Sequence, residues 1–297
     1  MASTRHIVAL GAIVATVAAP TATASELIDR NATGVKLVTT AKGEALVTYQ
    51  AGGKLKHVLA WSAVNAIPPN RSRPQVEFKL DYSGGYAKYH RNYWQTLAGV
   101  CLPYDGQALA WKVAACKATD GSYWALQAWQ RMLPNYGLTP TPAQAVWELR
   151  LSHWTGKTGT LAVTTNWAYR RFDHLFGSFK LGGVGVYGFK STPAGVPLDT
   201  YGRNIYVDTL DSAYGAGWKR ENSFLTHGPG GTFCYGLFPH GSRGAGKGAK
   251  YRATVEGPGV SPDVMWQGEA PGAYDAARDA AANDAIKAMD DAKCKAN

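Results

Sequence analysis

Four carboxylates, Asp173, Asp208, Asp211 and Glu221, fall in one polar and aromatic stretch that runs from Trp167 to Glu221 and also carries Arg170, Trp218 and Lys219. Glycoside hydrolysis usually takes two such groups, one kept protonated as the acid and one ionised as nucleophile or base. The spacing selects no pair among the four. Asp208 alternates with Val207 and Thr209 on an expected strand, so its plain reading is a side chain turned to solvent.

A second concentration of chemistry is Tyr82, Tyr86, Tyr89, Tyr93 and Trp94, interleaved with Lys88, His90 and Arg91. Flat rings cover the apolar face of a sugar while nearby polar groups bind its hydroxyls. In single-stranded nucleic-acid binding, rings stack on bases while cations track phosphate. Tyr86, Tyr89, Arg91 and Trp94, with Trp167, Arg170 and Trp218, form the candidate ligand-binding set. The plain alternative is that these rings fill the core of a large β protein.

Other chemistries find less support. Gly183-Val184-Gly185-Val186-Tyr187-Gly188 has the spacing of a dinucleotide loop, but Phe189 to Pro193 is no helix start, so a glycine-rich hairpin is expected. Gly241 to Gly248 imitates a phosphate loop with Gly248 where a magnesium-binding hydroxyl should stand. No H-E-x-x-H, C-x-x-C or G-x-S-x-G occurs. His227, Cys234 and His240 are close in sequence, yet a disulfide at Cys234 is the simpler use of that thiol. His153 shares a strand face with Trp147, Leu149 and Leu151, which favours a backbone-satisfied histidine over a catalytic base. Neither cofactor nor metal is expected.

The elements that would hold these residues belong to an exported chain. Arg5 precedes an apolar run of 13 residues, Ile7 to Ala19, followed by Ala22-Thr23-Ala24. That is the pattern of a removable secretory signal, 1–24, cleaved after Ala24, and the run is shorter than the roughly 20 residues a spanning helix needs. No later segment could span a membrane. The leader holds one of the 31 basic residues and none of the 21 acidic ones, so the mature chain would carry +9. Such a surface attracts anionic polymers. Cys101, Cys116, Cys234 and Cys294 all follow the leader, and an oxidising compartment favours disulfides, Cys101 with Cys116 and Cys234 with Cys294 by proximity.

Alternation with period two marks several strands: Val76, Phe78 and Leu80; Trp147, Leu149 and Leu151; Leu161, Val163 and Trp167; Tyr251, Ala253 and Val255. Each set is offset by polar neighbours, which reads as a half-buried strand. Lys42-Gly43, Gly52-Gly53, Asp120-Gly121 and Gly182-Gly183 supply tight turns. The expected fold is mainly β, an antiparallel sandwich or set of meanders with a short C-terminal helix. One large β-rich domain, 25–272, is expected, with 68–74 the candidate sub-boundary and 273–297 a helical tail. Taken together, export, positive charge and aromatic excess point to a binding protein for a glycan or other anionic cell-surface polymer, such as one of the cell wall. Nucleic acid is the less favoured partner. An extracellular glycan hydrolase and a structural envelope protein are the alternatives.

Overall fold

A computed structural model describes residues 25–288 except 69–72, 74, 133–144, 169–171, 186–188, 192–196, 200–204, 213–214, 221–222, 228–231, 238–247 and 258. The leader, Arg170, Glu221 and Cys294 therefore lie outside the described residues, as do the side chains of Asp173 and Cys234.

The first half of the chain forms β1 (Glu26–Arg30), β2 (Thr33–Thr40), β3 (Glu44–Ala51), β4 (Lys54–Trp61), β5 (Lys79–Asp81), the one-turn helices α1 (Tyr86–Tyr89) and α2 (Tyr93–Thr96), β6 (Lys112–Lys117), β7 (Tyr123–Met132) and β8 (Ala145–Trp154). The second half forms β9 (Thr160–Ala168), β10 (Phe172–Leu181), β11 (Val184–Gly185), β12 (Phe189–Ser191), β13 (Pro197–Asp199), β14 (Ile205–Ser212), β15 (Gly215–Arg220), β16 (Ser223–His227), β17 (Thr232–Leu237), β18 (Lys250–Val255), β19 (Val264–Glu269) and the helix α3 (Ala276–Ala288). The fold is mainly β, as the alternation requires. Among the described residues no helix is long and apolar enough to cross a membrane.

Four larger antiparallel sheets make the body. Strands β2-β3-β4-β5 form an outer N-terminal sheet, and β1-β8-β7-β6 an inner one. Strands β15-β14-β18-β19 form an inner C-terminal sheet. In the outer C-terminal sheet β9 and β17 flank β10, β16 follows β17, and β11 closes a hairpin on the end of β10. Ala51 pairs with Lys54 across Gly52-Gly53, both at positive φ, the conformation a two-residue hairpin demands. Gly182 and Gly183 turn β10 into β11 in the same way, so that glycine run opens a hairpin and not a helix.

Among the described residues, two large apolar cores lie between these sheets. Val47, Tyr49 and Val58 of the outer N-terminal sheet pack on Trp124, Leu126, Leu149 and Leu151 of the inner one. Leu175 and Phe179 of the outer C-terminal sheet pack with Val207, Tyr251, Ala253 and Val255. Burying each such side chain contributes roughly 1.5–3 kcal/mol before chain entropy is counted. Cys101 and Cys116 are joined, with Cα atoms 4.8 Å apart, and tie the 98–111 segment to β6.

The alternation misleads in one respect. It reads β8 and β18 as half-buried, yet the polar alternates Glu148, Arg150 and Ser152, and Arg252 and Thr254, are as buried as the apolar ones. Period two reports that the two faces differ in polarity, and the polar faces of the two inner sheets lie against each other instead of against water. Arg150 Nη2 lies 2.8 Å from Glu148 Oε2 on its own strand and 2.8 Å from Glu256 Oε1, just beyond β18. Arg252 Nη2 contacts Asp208 Oδ2 at 2.8 Å and donates to the Gln130 carbonyl of β7 at 3.0 Å. The two sheet pairs are thus joined by a layer of charge.

The expected strand at 76–80 is β5, Lys79–Asp81, and Phe78 enters the first core. The expected tail helix is α3, capped by Asp275, whose Oδ1 accepts from Ala277 N and Arg278 N at 2.8 and 2.9 Å. It packs on β9 through a polar clasp: Tyr274 donates to the buried Asp279 at 2.8 Å, and the Trp167 indole donates to the Ala273 carbonyl at 3.1 Å.

Candidate binding surface

Asp81, at the end of β5, begins the segment that covers the outer face of β3 and β4. Its Oδ1 accepts from the Ser83 amide at 2.8 Å and from the Ser83 hydroxyl, and its Oδ2 accepts from the Lys88 amide at 3.1 Å. Burial pushes this carboxyl up, and the hydrogen bonds outweigh burial and hold it below its ordinary range. Gly84 and Gly85 follow, both at positive φ. A β-carbon on Gly84 would stand 2.8 Å from His57 Cβ and 2.9 Å from Trp94 Cδ1, and one on Gly85 would stand 2.7 Å from Tyr93 Cβ. Only glycines let α1 and α2 settle this close to the sheet.

Glu44, the first residue of β3, is 1 % exposed and anchors the covering segment. It accepts from Lys88 Nζ at 2.6 Å, Tyr93 Oη at 3.1 Å, Thr40 Oγ1 at 3.3 Å and the Tyr89 hydroxyl. Burial raises the Glu44 pKa, but donation by Lys88, Tyr89 and Tyr93 prevails and keeps the carboxylate ionised below its usual range. The Tyr93 phenol is pushed up to about 12, by burial first, then by its hydrogen bond to Glu44 and by the Glu44 charge. Lys88 Nζ also lies 4.2 Å above the Trp61 ring and 5.0 Å from that of Tyr89. On the other side of the cap Trp94 stacks on His57, centroids 4.1 Å apart and planes 11° from parallel. Burial lowers the His57 pKa.

This arrangement divides the aromatic run into layers. Tyr93 is buried with Leu46 and Leu59, while Tyr89, Trp94 and Trp61 are half-buried against that cluster. Tyr82 and Tyr86 are 57 % and 53 % exposed. Arg91 is exposed, with its guanidinium carbon 5.5 Å from the Tyr93 ring. Tyr93 thus fills a small core, and the rings above it form a braced, partly open surface carrying cations. Tyr86, Tyr89, Arg91 and Trp94 all belong to this covering segment. Glu44, His57 and Trp61 complete the surface, and nothing local in the sequence ties them to the 82–97 segment.

Trp167 and Trp218 stand elsewhere. Trp167 holds the tail, and Trp218 lies over Arg252, 4.7 Å from guanidinium carbon to ring, with Trp111 5.2 Å from the same carbon. Asp208 does not face solvent, because it is 1 % exposed and paired to Arg252. Asp211 is exposed at φ 52°, accepting from the Gly217 amide at 2.8 Å where the β14–β15 pairing shifts register. Asp173 belongs to β10, its backbone opposite Trp167 and Leu237. Asp208 and Asp211 share β14, the one buried and the other exposed, and the side chain of Asp173 lies outside the described residues.

His153 is buried on the core face of β8, stacked on Trp124 at 3.7 Å. Its Nδ1 meets the Ala63 carbonyl at 2.5 Å and its Nε2 the Ser122 hydroxyl at 2.9 Å, which places the proton on Nδ1. Burial pulls its pKa down to about 4, against the opposing pull of the Ala63 carbonyl. A cavity of about 240 Å³ opens between residues 107–110, 158–161 and Asp263–Met265, with Asp263 its one carboxylate. No protein-family model, curated protein or solved structure matches this chain.

Proposed function

We propose that this is an exported binding protein whose outer N-terminal sheet, with its α1–α2 cap, holds an anionic glycan or a related anionic polymer of the cell surface. The observation that carries the reading is the bracing of the cap by Glu44. One buried carboxylate fixes Lys88, Tyr89 and Tyr93, so the exposed rings of Tyr82 and Tyr86 and the charge of Arg91 stand on a rigid base. A preorganised aromatic surface loses little side-chain entropy when a sugar ring stacks on it. Cations at the rim favour acidic units over neutral ones, and the surplus of basic residues across the chain raises encounter rates with a polyanion. The leader pattern and the Cys101–Cys116 bridge fit a protein that works outside the reducing cytoplasm.

Retention on cell-wall, acidic-polysaccharide and neutral-polysaccharide resins tests this. The expected result is retention on an acidic resin at low salt, release between about 0.1 and 0.5 M salt as screening shortens, and loss of retention in Tyr86→Ala/Arg91→Ala. Folded protein that passes every resin at low salt, or a double variant that binds as before, overturns it.

A further inference from the structure

Ser25 is fully buried at the head of β1, inside the charged layer, with φ at 33°. Its hydroxyl donates to Asp263 Oδ1 at 2.5 Å, and Arg150 Nη1 donates to its carbonyl at 3.0 Å. Asp263 is 3 % exposed, and the groups bonded to its carboxylate are all neutral: Ser25 Oγ, Trp129 Nε1 at 3.0 Å and Gly257 N at 3.0 Å. The described short contacts of the Arg150 guanidinium go to Glu148, Glu256 and Ser25, and its charge acts on Asp263 through space. Burial raises the Asp263 pKa in spite of that charge and of the three neutral donors. A carboxylate so placed is short of one contacting cation.

The leader reading supplies one. Hydrolysis of the Ala24–Ser25 amide by a leader peptidase consumes one water, leaves the carboxylate on Ala24 and frees the amino group of Ser25, which takes up a proton. An α-amine ordinarily titrates near 8, so it is cationic at neutral pH. This nitrogen is joined through Cα and Cβ to the hydroxyl that already touches Asp263. Cleavage also removes the preceding carbonyl, whose clash is what makes a positive φ costly for serine. We propose that the new α-ammonium of Ser25 is the buried counter-ion of Asp263, so that the joint between the two sheet pairs is completed only in the processed chain. The inference rests on the leader and the charged layer and is independent of the ligand proposed above.

The test uses the chain beginning at Ser25, released from a fusion partner by a protease that leaves no extra residue, beside the same chain acetylated on that amine. The free-amine form should melt about 5 °C or more above the acetylated form at pH 7. In Asp263→Asn, which removes the charge to be balanced, that gap should close to about 1 °C. Should Asp263→Asn fail to fold, NMR of the ¹⁵N-serine-labelled native chain gives the same answer: the amine should titrate well above its ordinary range. Equal melting of the two forms, a gap that Asp263→Asn leaves intact, an amine that titrates normally, or an exported protein whose first residue is not Ser25 overturns the proposal.

Discussion

Arg150 and Lys88 each hold a buried glutamate at under 3 Å, but the side chain of Arg150 is 2 % exposed between the two inner sheets, whereas that of Lys88 is 27 % exposed on the outer sheet. Around Arg150 the charges of Glu148 and Glu256 turn toward the guanidinium, and all three side chains are buried. Around Lys88 only the carboxylate is buried, and the cation and the rings it positions keep a side toward water. Asp208, in the Trp167–Glu221 stretch, is buried against Arg252, which itself reaches the Gln130 carbonyl of the facing sheet. Glu44, an unremarkable acid at the start of a strand, braces the ring-and-cation cap on the outer sheet.

The difference is sharpest if one cation is removed from each region. Arg150→Met should leave Glu148 and Glu256 buried without a shared partner and lower stability by about 3–5 kcal/mol, read from denaturant midpoints. Replacing the cluster together, Arg150→Met with Glu148→Leu and Glu256→Leu, should recover most of that loss, because the cost lies in the unpaired charge. Lys88→Met, whose site is partly hydrated, should cost about 1–2 kcal/mol. Equal losses at the two sites would mean that the layer is wetter than its burial implies.

The next effect belongs to pH. His153 is held neutral, with a pKa near 4 against an ordinary 6.5. Its contribution is therefore complete above about pH 6.5 and is lost as pH falls toward 4, because the unfolded chain takes up a proton that the folded one refuses. The loss should approach roughly 3 kcal/mol. His153→Gln, which keeps a donor and an acceptor, should be less stable at pH 7 but flatter between pH 6.5 and 4 in chemical denaturation. An unchanged acid limb would assign that limb to other groups.

These contrasts mark how far the sequence could be read. Hairpins at Gly52-Gly53 and Gly182-Gly183, the strand faces of β8 and β18, and the Cys101–Cys116 bridge all follow from local pattern, because turn chemistry and period two are local properties. The grouping of Tyr86, Tyr89, Arg91 and Trp94 was also legible, since one short segment carries them all. What the polar face of a strand meets is a tertiary matter, and the meeting of Arg150 with Glu256 leaves no periodic trace. The same holds for Glu44, which lies more than forty residues before the lysine and tyrosines it binds. Trp218 illustrates a third kind of miss: an indole stacked over Arg252 looks, in sequence, the same as one waiting for a sugar.

Glu44→Gln asks whether the brace governs binding. It removes the charge from four donor contacts and should cost about 2 kcal/mol, the scale of hydrogen bonds to an ionised group. Because the Glu44 pKa is depressed in the folded state, its share of stability is present above about pH 4.5 and disappears as pH falls through the folded value. Glu44→Gln should therefore remove part of the pH dependence below about 4.5. Retention on the acidic resin should weaken as well, as the cap loosens under Tyr86 and Arg91.

The smallest change in stability should accompany the largest selective change in binding. Tyr86 is more than half exposed and Arg91 is at the surface, so Tyr86→Ala and Arg91→Ala should each alter stability by no more than about 0.5 kcal/mol. Loss of one stacking ring should weaken a polysaccharide by about tenfold, corresponding to the 1–1.5 kcal/mol by which such a ring contributes. Loss of Arg91 should instead reduce the salt dependence, leaving neutral-chain affinity nearly unchanged. Titrations of both variants at two salt concentrations separate the two contributions. If Tyr86→Ala proves as destabilising as Lys88→Met, the exposed ring is part of the support, and the distinction between a braced base and a presented surface fails at that residue.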